Sequence, residues 1–247
     1  MIATLAAKEL RILFFTPFAW VVLALLQLIM AWVFLVRLDE FLNIQPQYAQ
    51  LLNPPGVTEL IVAPLCAATA ILFMAVTPIF AMRLVAEERR QRTFSLLLSS
   101  PLSMTEIVLG KFLGLLCFLG LGIVLCALLA VSLAAGGPLD WGMIATNLLG
   151  LLGVAASFAA ICLYASCLTA HPALAAFIAL ALLLGSWLTQ LASGTVAGLA
   201  YWLSPLKHFE NFNKGLIDST DIAYFCIYAV LFLWLATRRL NRYRQGQ

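Results

Sequence analysis

The chain has 247 residues, 64% of them hydrophobic and 10% charged, with a mean hydropathy of +1.02. A soluble domain carries about 25% charged residues, so the composition excludes a water-soluble fold; the apolar runs are continuous rather than alternating, which excludes a membrane β-barrel. The formal net charge of +3 is modest and localised, and it bears on membrane orientation rather than on nucleic-acid binding.

In chain order, residues 1–16 mix apolar and charged side chains (Lys8, Glu9, Arg11). Leu5, Glu9, Ile12 and Phe15 share one helical face, which predicts an amphipathic helix on the membrane surface ahead of Pro17. No small-residue cleavage site follows, so the first apolar run is expected to remain as an anchor. The first span is predicted over 18–36, long enough at 1.5 Å per residue to cross a hydrocarbon core of ~30 Å. Residues 37–59 are polar and turn-rich, with Asp39, Glu40, Asn53, Pro54, Pro55 and Gly56. The second span, 60–82, contains Pro64 and Pro78, which predict a kink or a broken helix.

Residues 83–111 form the longest polar interruption and hold Arg83, Glu87, Glu88, Arg89, Arg90, Arg92, Glu106 and Lys111. Phe94, Leu97 and Leu98 recur at helical spacing before Ser99-Ser100-Pro101 ends the pattern. This predicts a short interfacial helix between two spans, with charge toward water and an apolar face toward lipid. A second short helix is predicted after Ser103, with Glu106 completing a capping box.

The third span, 107–134, carries Gly110 and Gly114 at the spacing that permits close helix approach. Gly136-Gly137-Pro138 predicts a turn, with Asp140 capping the fourth span at 141–168. His171-Pro172 marks the next turn, and the fifth span covers 173–191. Residues 193–219 are a second sizeable polar segment, in which Trp202, Tyr201, Phe209 and Phe212 suit a membrane interface. The sixth span covers 220–236, and Arg238, Arg239, Arg242 and Arg244 follow it.

The charge distribution orients these spans. With both termini on the cytoplasmic side, the inner segments hold 11 of the 14 Lys and Arg, and the outer ones hold only Arg37, Lys207 and Lys214. The positive-inside bias therefore predicts six spans with both ends cytoplasmic in a bacterial inner membrane.

Little in the sequence points to catalysis. No G-x-x-x-x-G-K-[ST] is present, so no nucleotide phosphate is cradled in the P-loop manner. The spans hold almost no ionisable groups, which disfavours an ion-coupled transporter. The run from Glu87 to Arg92 matches E-E-x-x-x-R, similar to the first motif of CAAX-type intramembrane proteases, but the companion histidine patterns of that family are missing. His208 and Glu210 do not make a metal site by themselves, since even a catalytic zinc normally takes three protein ligands. The six cysteines lie in apolar runs without a C-x-x-C and read as packing residues.

Two separated stretches carry a family resemblance. One contains Ala86-Glu87-Glu88-Arg89-Arg90, Thr93, Leu96-Leu97-Leu98, Ser100-Pro101-Leu102-Ser103 and the run from Glu106 to Phe112. The other contains Leu203-Ser204-Pro205-Leu206, then His208-Phe209-Glu210-Asn211-Phe212, Gly215 and Asp218. Together with Lys8-Glu9-Leu10 and Pro17 they resemble ABC type-2 transporter permeases, most nearly the GldF-like gliding-motility subgroup. The chain departs from that pattern at Arg92, where glycine is usual, and at Ser95, where glutamate is usual.

The resemblance implies one all-α transmembrane domain over 1–247, in membrane lipid, that couples ATP hydrolysis to export or to force transmission. It implies an ABC ATPase subunit holding ATP and Mg, a second permease copy or related permease, and a GldG-like outer partner. Glu87, Glu88, Arg89, Arg90 and Thr93 would form the ATPase-coupling surface, and Phe94, Leu97 and Leu98 the interfacial anchor. Pro205, His208, Phe209, Glu210 and Asn211 would form the outer-segment motif. A CAAX-type protease and a passive membrane scaffold are the alternatives.

Overall fold

The computed structural model describes residues 2–48, 56–91, 103–137, 139–191 and 204–245. All regular elements among the described residues are helices. Six are long and apolar enough to cross a bilayer: Pro17–Gln45, Thr58–Arg90, Met104–Ala135, Trp141–Leu168, Pro172–Thr189 and Ser219–Arg244. The protein is an all-α, multi-pass membrane protein.

Helix α1, Ile2–Phe15, precedes the first span. It ends where the Thr16 hydroxyl donates to the Leu13 carbonyl at 2.7 Å. Pro17 then opens α2, Pro17–Tyr48, at a position where its missing N–H costs nothing. The face that α1 buries is Leu5, Ala6, Glu9 and Leu13. Ile12 and Phe15, expected on that face, are 50% and 79% exposed, because the true stripe drifts toward Ala6 and Leu13.

The partner of α1 is α4, Met104–Ser132. Gly110 and Gly114 make the contact close: a Cβ on Gly110 would sit 2.6 Å from Leu5 Cδ2, and one on Gly114 would sit 2.8 Å from Glu9 Cβ. The small-residue pair therefore receives the amphipathic helix rather than another span.

Three local expectations change. The first part of the polar stretch after residue 36 is helical, since α2 continues to Tyr48; residues 49–55, with the turn-forming Asn53, Pro54 and Pro55, lie outside the described residues. An Arg37–Glu40 ion pair at 2.8 Å and an Asn43 to Asp39 hydrogen bond at 3.3 Å support the extra turns, at the spacing where side chains on a helix meet. The second span is neither broken at Pro64 nor at Pro78. It runs as a π-turn (Thr58–Val62), helix α3 (Ala63–Met82), a π-turn (Arg83–Glu87) and a last turn (Glu88–Arg90). Pro64 falls in the first turn of α3, where it is tolerated. Finally, the capping box at Ser103 forms, with Ser103 N donating to Glu106 Oε2 at 2.9 Å and Glu106 N to Ser103 Oγ at 3.2 Å. It opens α4 itself, not a separate short helix.

Helix α5, Trp141–Leu168, is capped by Asp140, whose Oδ1 accepts from Met143 N at 3.0 Å. It is the central helix, packed against α3, α4, α6 (Pro172–Leu191), α7 (Pro205–Asn213) and α8 (Ser219–Gln245). Glycine notches admit its neighbours: Gly150 faces Phe209 and Phe212 of α7, and Gly153 faces Phe225 of α8. Gly215, at φ +78°, ends α7 in a conformation that a side chain disfavours. Apolar faces of α2 (Trp20, Leu28, Trp32), α6 (Leu174, Phe177) and α8 (Ile227, Val230, Trp234) point outward.

Candidate functional site

Lys111 lies about two turns into α4, and its side chain is 1% exposed. A buried ammonium needs partners, because desolvation costs several kcal/mol per ion. It has two: Nζ donates to Glu9 Oε1 of α1 at 2.9 Å and to Glu88 Oε1 at 2.7 Å. The glycine pair of α4 explains the first contact, since α1 approaches closely enough to set Glu9 beside Lys111. The second contact ties in the turn where the second span exits. One cation against two carboxylates leaves the cluster with a formal charge of −1 and joins three separate elements.

The same exit is fastened from other sides. The N–H groups of Val85 and Ala86, in the π-turn, donate to Ser166 Oγ of α5 at 3.3 and 3.1 Å. Arg89 Nη1 donates to the Cys167 carbonyl at 3.0 Å, and its guanidinium lies 4.4 Å from the Tyr243 ring centre on α8. Arg83 covers the Phe18 ring of α2 at 4.8 Å. The beginning of α1 and the end of α8 thus share one end of the bundle with this exit, here called the terminal end. A cavity of about 340 Å³ opens beside it, lined by Glu9, Ile12, Leu13, Thr16, Arg83, Leu84, Glu87, Glu88 and Gln91.

The sequence-nominated charges therefore divide. Glu88 and Arg89 turn inward, to Lys111 and to Cys167 and Tyr243. Glu87 is half-buried and accepts from Gln91 Nε2 at 3.3 Å, while Arg90 is exposed. Thr93, Phe94, Leu97 and Leu98, with the short helix expected around them, lie outside the described residues.

At the opposite end, α7 places the other motif. Pro205 occupies its first turn, and Phe209 and Phe212 fill the notch at Gly150. His208 is buried, with Nδ1 2.5 Å from Asp221 Oδ1 of α8. Asn211 Nδ2 donates to the other carboxylate oxygen, Oδ2, at 2.8 Å. The His208 ring stacks on Tyr224 with centroids 3.9 Å apart. Glu210 is exposed, so His208 is directed to Asp221 rather than toward a site shared with Glu210. Among the described residues no group of three or more His, Cys, Asp and Glu is placed to hold a metal ion. Just beyond α7, a hydrogen bond from Thr220 N holds the exposed Asp218 carboxyl below its ordinary pKa.

The sequence places Glu9 on the shared face of α1 and Lys111 at the end of the polar interruption, without naming a partner for either, and does not single out Asp221, Ser166 or Tyr243. For Lys111 a signal existed: a cation inside an apolar helical run needs a counter-charge. Ser166 and Tyr243 carry no comparable signal, since a serine or tyrosine near a span end is ordinary.

The six apolar helices, with a buried ion cluster around the exit of the second one and a buried His208–Asp221–Asn211 cluster at the opposite end, define a multi-pass helical membrane protein. The family model of the ABC-2 family transporter protein matches residues 3–243, and the chain belongs to that family. It is accordingly a permease component of an ABC transporter, a role that implies an ABC ATPase as partner. No curated protein matches the chain.

Proposed function

We propose that this permease couples ATP hydrolysis on a separate ATPase subunit, which binds the ATP and Mg, to export or to force transmission across the bacterial inner membrane. In this reading both termini are cytoplasmic, no nucleotide is hydrolysed by the chain itself, and the working unit contains a second permease copy or a related permease. The two motifs that resemble GldF-like permeases support that subgroup, with a GldG-like protein as the outer partner.

The observation that carries the reading is the bracing of the second-span exit. Residues 83–90 form a turn fastened to α1, α4, α5 and α8, so a push on the coupling segment is passed to a packed bundle as a rigid-body movement. Within the nominated surface we assign direct ATPase contact to Glu87, Arg90 and Thr93. Glu88 and Arg89 hold the segment in place, while Phe94, Leu97 and Leu98 anchor it at the lipid interface. The commitment of Glu88 to Lys111 also supports this reading over the intramembrane protease, which would need that glutamate beside a substrate.

The test is purification of the chain from its native membranes with identification of what accompanies it. An ABC ATPase is expected, with its activity stimulated by the permease. Reversing the outward charges, Glu87→Arg with Arg90→Glu, should reduce both association and stimulation while leaving insertion intact. Association and stimulation at the wild-type level in that double variant would refute the coupling surface.

A further inference from the structure

The hairpin formed by α3 and α4 flanks the proposed coupling segment, and contacts run along its whole length. Near the terminal end Phe80 packs on Phe118, ring centroids 4.3 Å apart. Further along, Phe73 fills the notch at Gly122, where an added Cβ would lie 2.9 Å from Phe73 Cε1. One turn beyond Gly122, Cys126 meets Cys66 with 3.9 Å between the sulfurs. Both cysteines are fully buried. Thr69 Oγ1 lies 3.5 Å from Cys126 Sγ, its own proton donated to the Leu65 carbonyl at 2.8 Å.

We propose that Cys66 and Cys126 are a redox-active dithiol that closes to a disulfide and staples the hairpin at the end opposite the coupling segment. The disulfide does not depend on the transporter reading; its effect on ATP-driven motion rests on that reading. A disulfide brings the sulfurs to about 2.05 Å, so closure requires an approach of a little under ~2 Å from the reduced contact. The Phe73 ring seated in the notch at Gly122 holds the two helices in contact one turn away, and the thiols face each other across the interface rather than lipid.

Burial excludes a protein oxidant, so the co-reactant is a small neutral hydroperoxide. One sulfur attacks the O–O bond of hydrogen peroxide, giving a sulfenic acid and releasing water. The second sulfur then attacks the first, forming the S–S bond and releasing the sulfenic oxygen as water. The two sulfurs lose two electrons, the peroxide oxygens gain them, and the two thiol protons leave in the two waters. A small dithiol reverses the reaction by exchange.

The experiment uses the full chain in phospholipid nanodiscs, treated with hydrogen peroxide. Free thiols are then alkylated under denaturing conditions, and the unreduced digest is mapped by mass spectrometry. The expected result is loss of two of the six free thiols, a linked peptide pair containing Cys66 and Cys126, and recovery of both thiols with dithiothreitol. Cys66→Ala should give no linked pair involving Cys126 under the same treatment. Since that variant can fail to insert, Cys117→Ala with Cys226→Ala provides a second background, in which the same linked pair should appear. Six intact thiols, oxidation stopping at sulfenic or higher acids, or linkage through other cysteines would overturn the dithiol. With the ATPase present, stimulation should fall several-fold on oxidation and return on reduction. A mapped disulfide with unchanged stimulation would overturn the regulatory effect, whereas failure of any ATPase to associate would count against the transporter reading and leave the mapping result standing.

Discussion

Replacing Lys111 by Met tests whether the buried ion cluster holds the terminal end together. Met keeps the length and apolar bulk of the lysine stem and removes only the charged head. At separations of 2.7 and 2.9 Å, each Lys111–Glu pair has a Coulomb attraction of about 6 kcal/mol at an effective dielectric constant near ~20. Most of it offsets the desolvation of the three groups, so the net worth of the intact cluster is small. Removal of the cation is a different case, because Glu9 and Glu88 lose the ammonium that bridges them. A broken buried pair costs about 3–5 kcal/mol, and the Glu88 side chain is 21% exposed, which moves the expectation toward the lower end, roughly ~3 kcal/mol. The assay is thermal unfolding of the purified chain in one detergent, read by tryptophan fluorescence, beside ATPase stimulation in nanodiscs. Lys111→Met should melt markedly lower and lose stimulation. Adding Glu9→Gln and Glu88→Gln should recover most of the stability, because neutralising the whole cluster removes the charges that lost the ammonium. A Lys111→Met variant within about 1 kcal/mol of wild type, roughly what an exposed pair is worth, with no gain on neutralising the glutamates, would refute the reasoning.

Other packing claims are open to similar tests. Gly150→Leu would drive a side chain into Phe209 and Phe212, whose atoms lie 2.6–2.9 Å from the added Cβ; overpacking of this kind costs about 1–3 kcal/mol, and amide exchange over Pro205–Asn213 should quicken. Ser166→Ala removes the acceptor that Val85 and Ala86 share, an effect of about 1 kcal/mol that should appear as faster exchange confined to residues 83–90. Asp221→Ala withdraws the carboxylate that meets both His208 and Asn211. A loss of about 1–3 kcal/mol is expected, and an unchanged melting temperature would show that α7 is held by its aromatics alone.

Some features were legible because their causes are local. The spans are apolar runs long enough for a bilayer, and that length requirement acts on consecutive residues. The caps at Ser103 and Asp140 depend on side chains three residues from the N–H groups they serve, so their spacing is written in the chain. Where a competing local effect intervened, the reading slipped: the i,i+3 and i,i+4 contacts after Arg37 carried α2 on to Tyr48, into a stretch that composition marked as polar and turn-rich.

The partners of the buried charges were decided by tertiary structure. Lys111 meets Glu9 across 102 positions and Glu88 across 23, and no periodicity carries that information. The pairing exists because Gly110 and Gly114 admit α1, a packing event between helices that are separate in sequence. The same holds for Glu88 and Arg89, which composition places among water-facing charges and the bundle turns inward. His208 likewise finds Asp221 only because the glycine notches of α5 seat α7 and α8 side by side. Amino-acid order determined which segments enter the membrane, since that depends on transfer free energy summed along the chain. Which buried charge meets which depended on the approach of helices far apart in sequence, where one missing Cβ sets the distance.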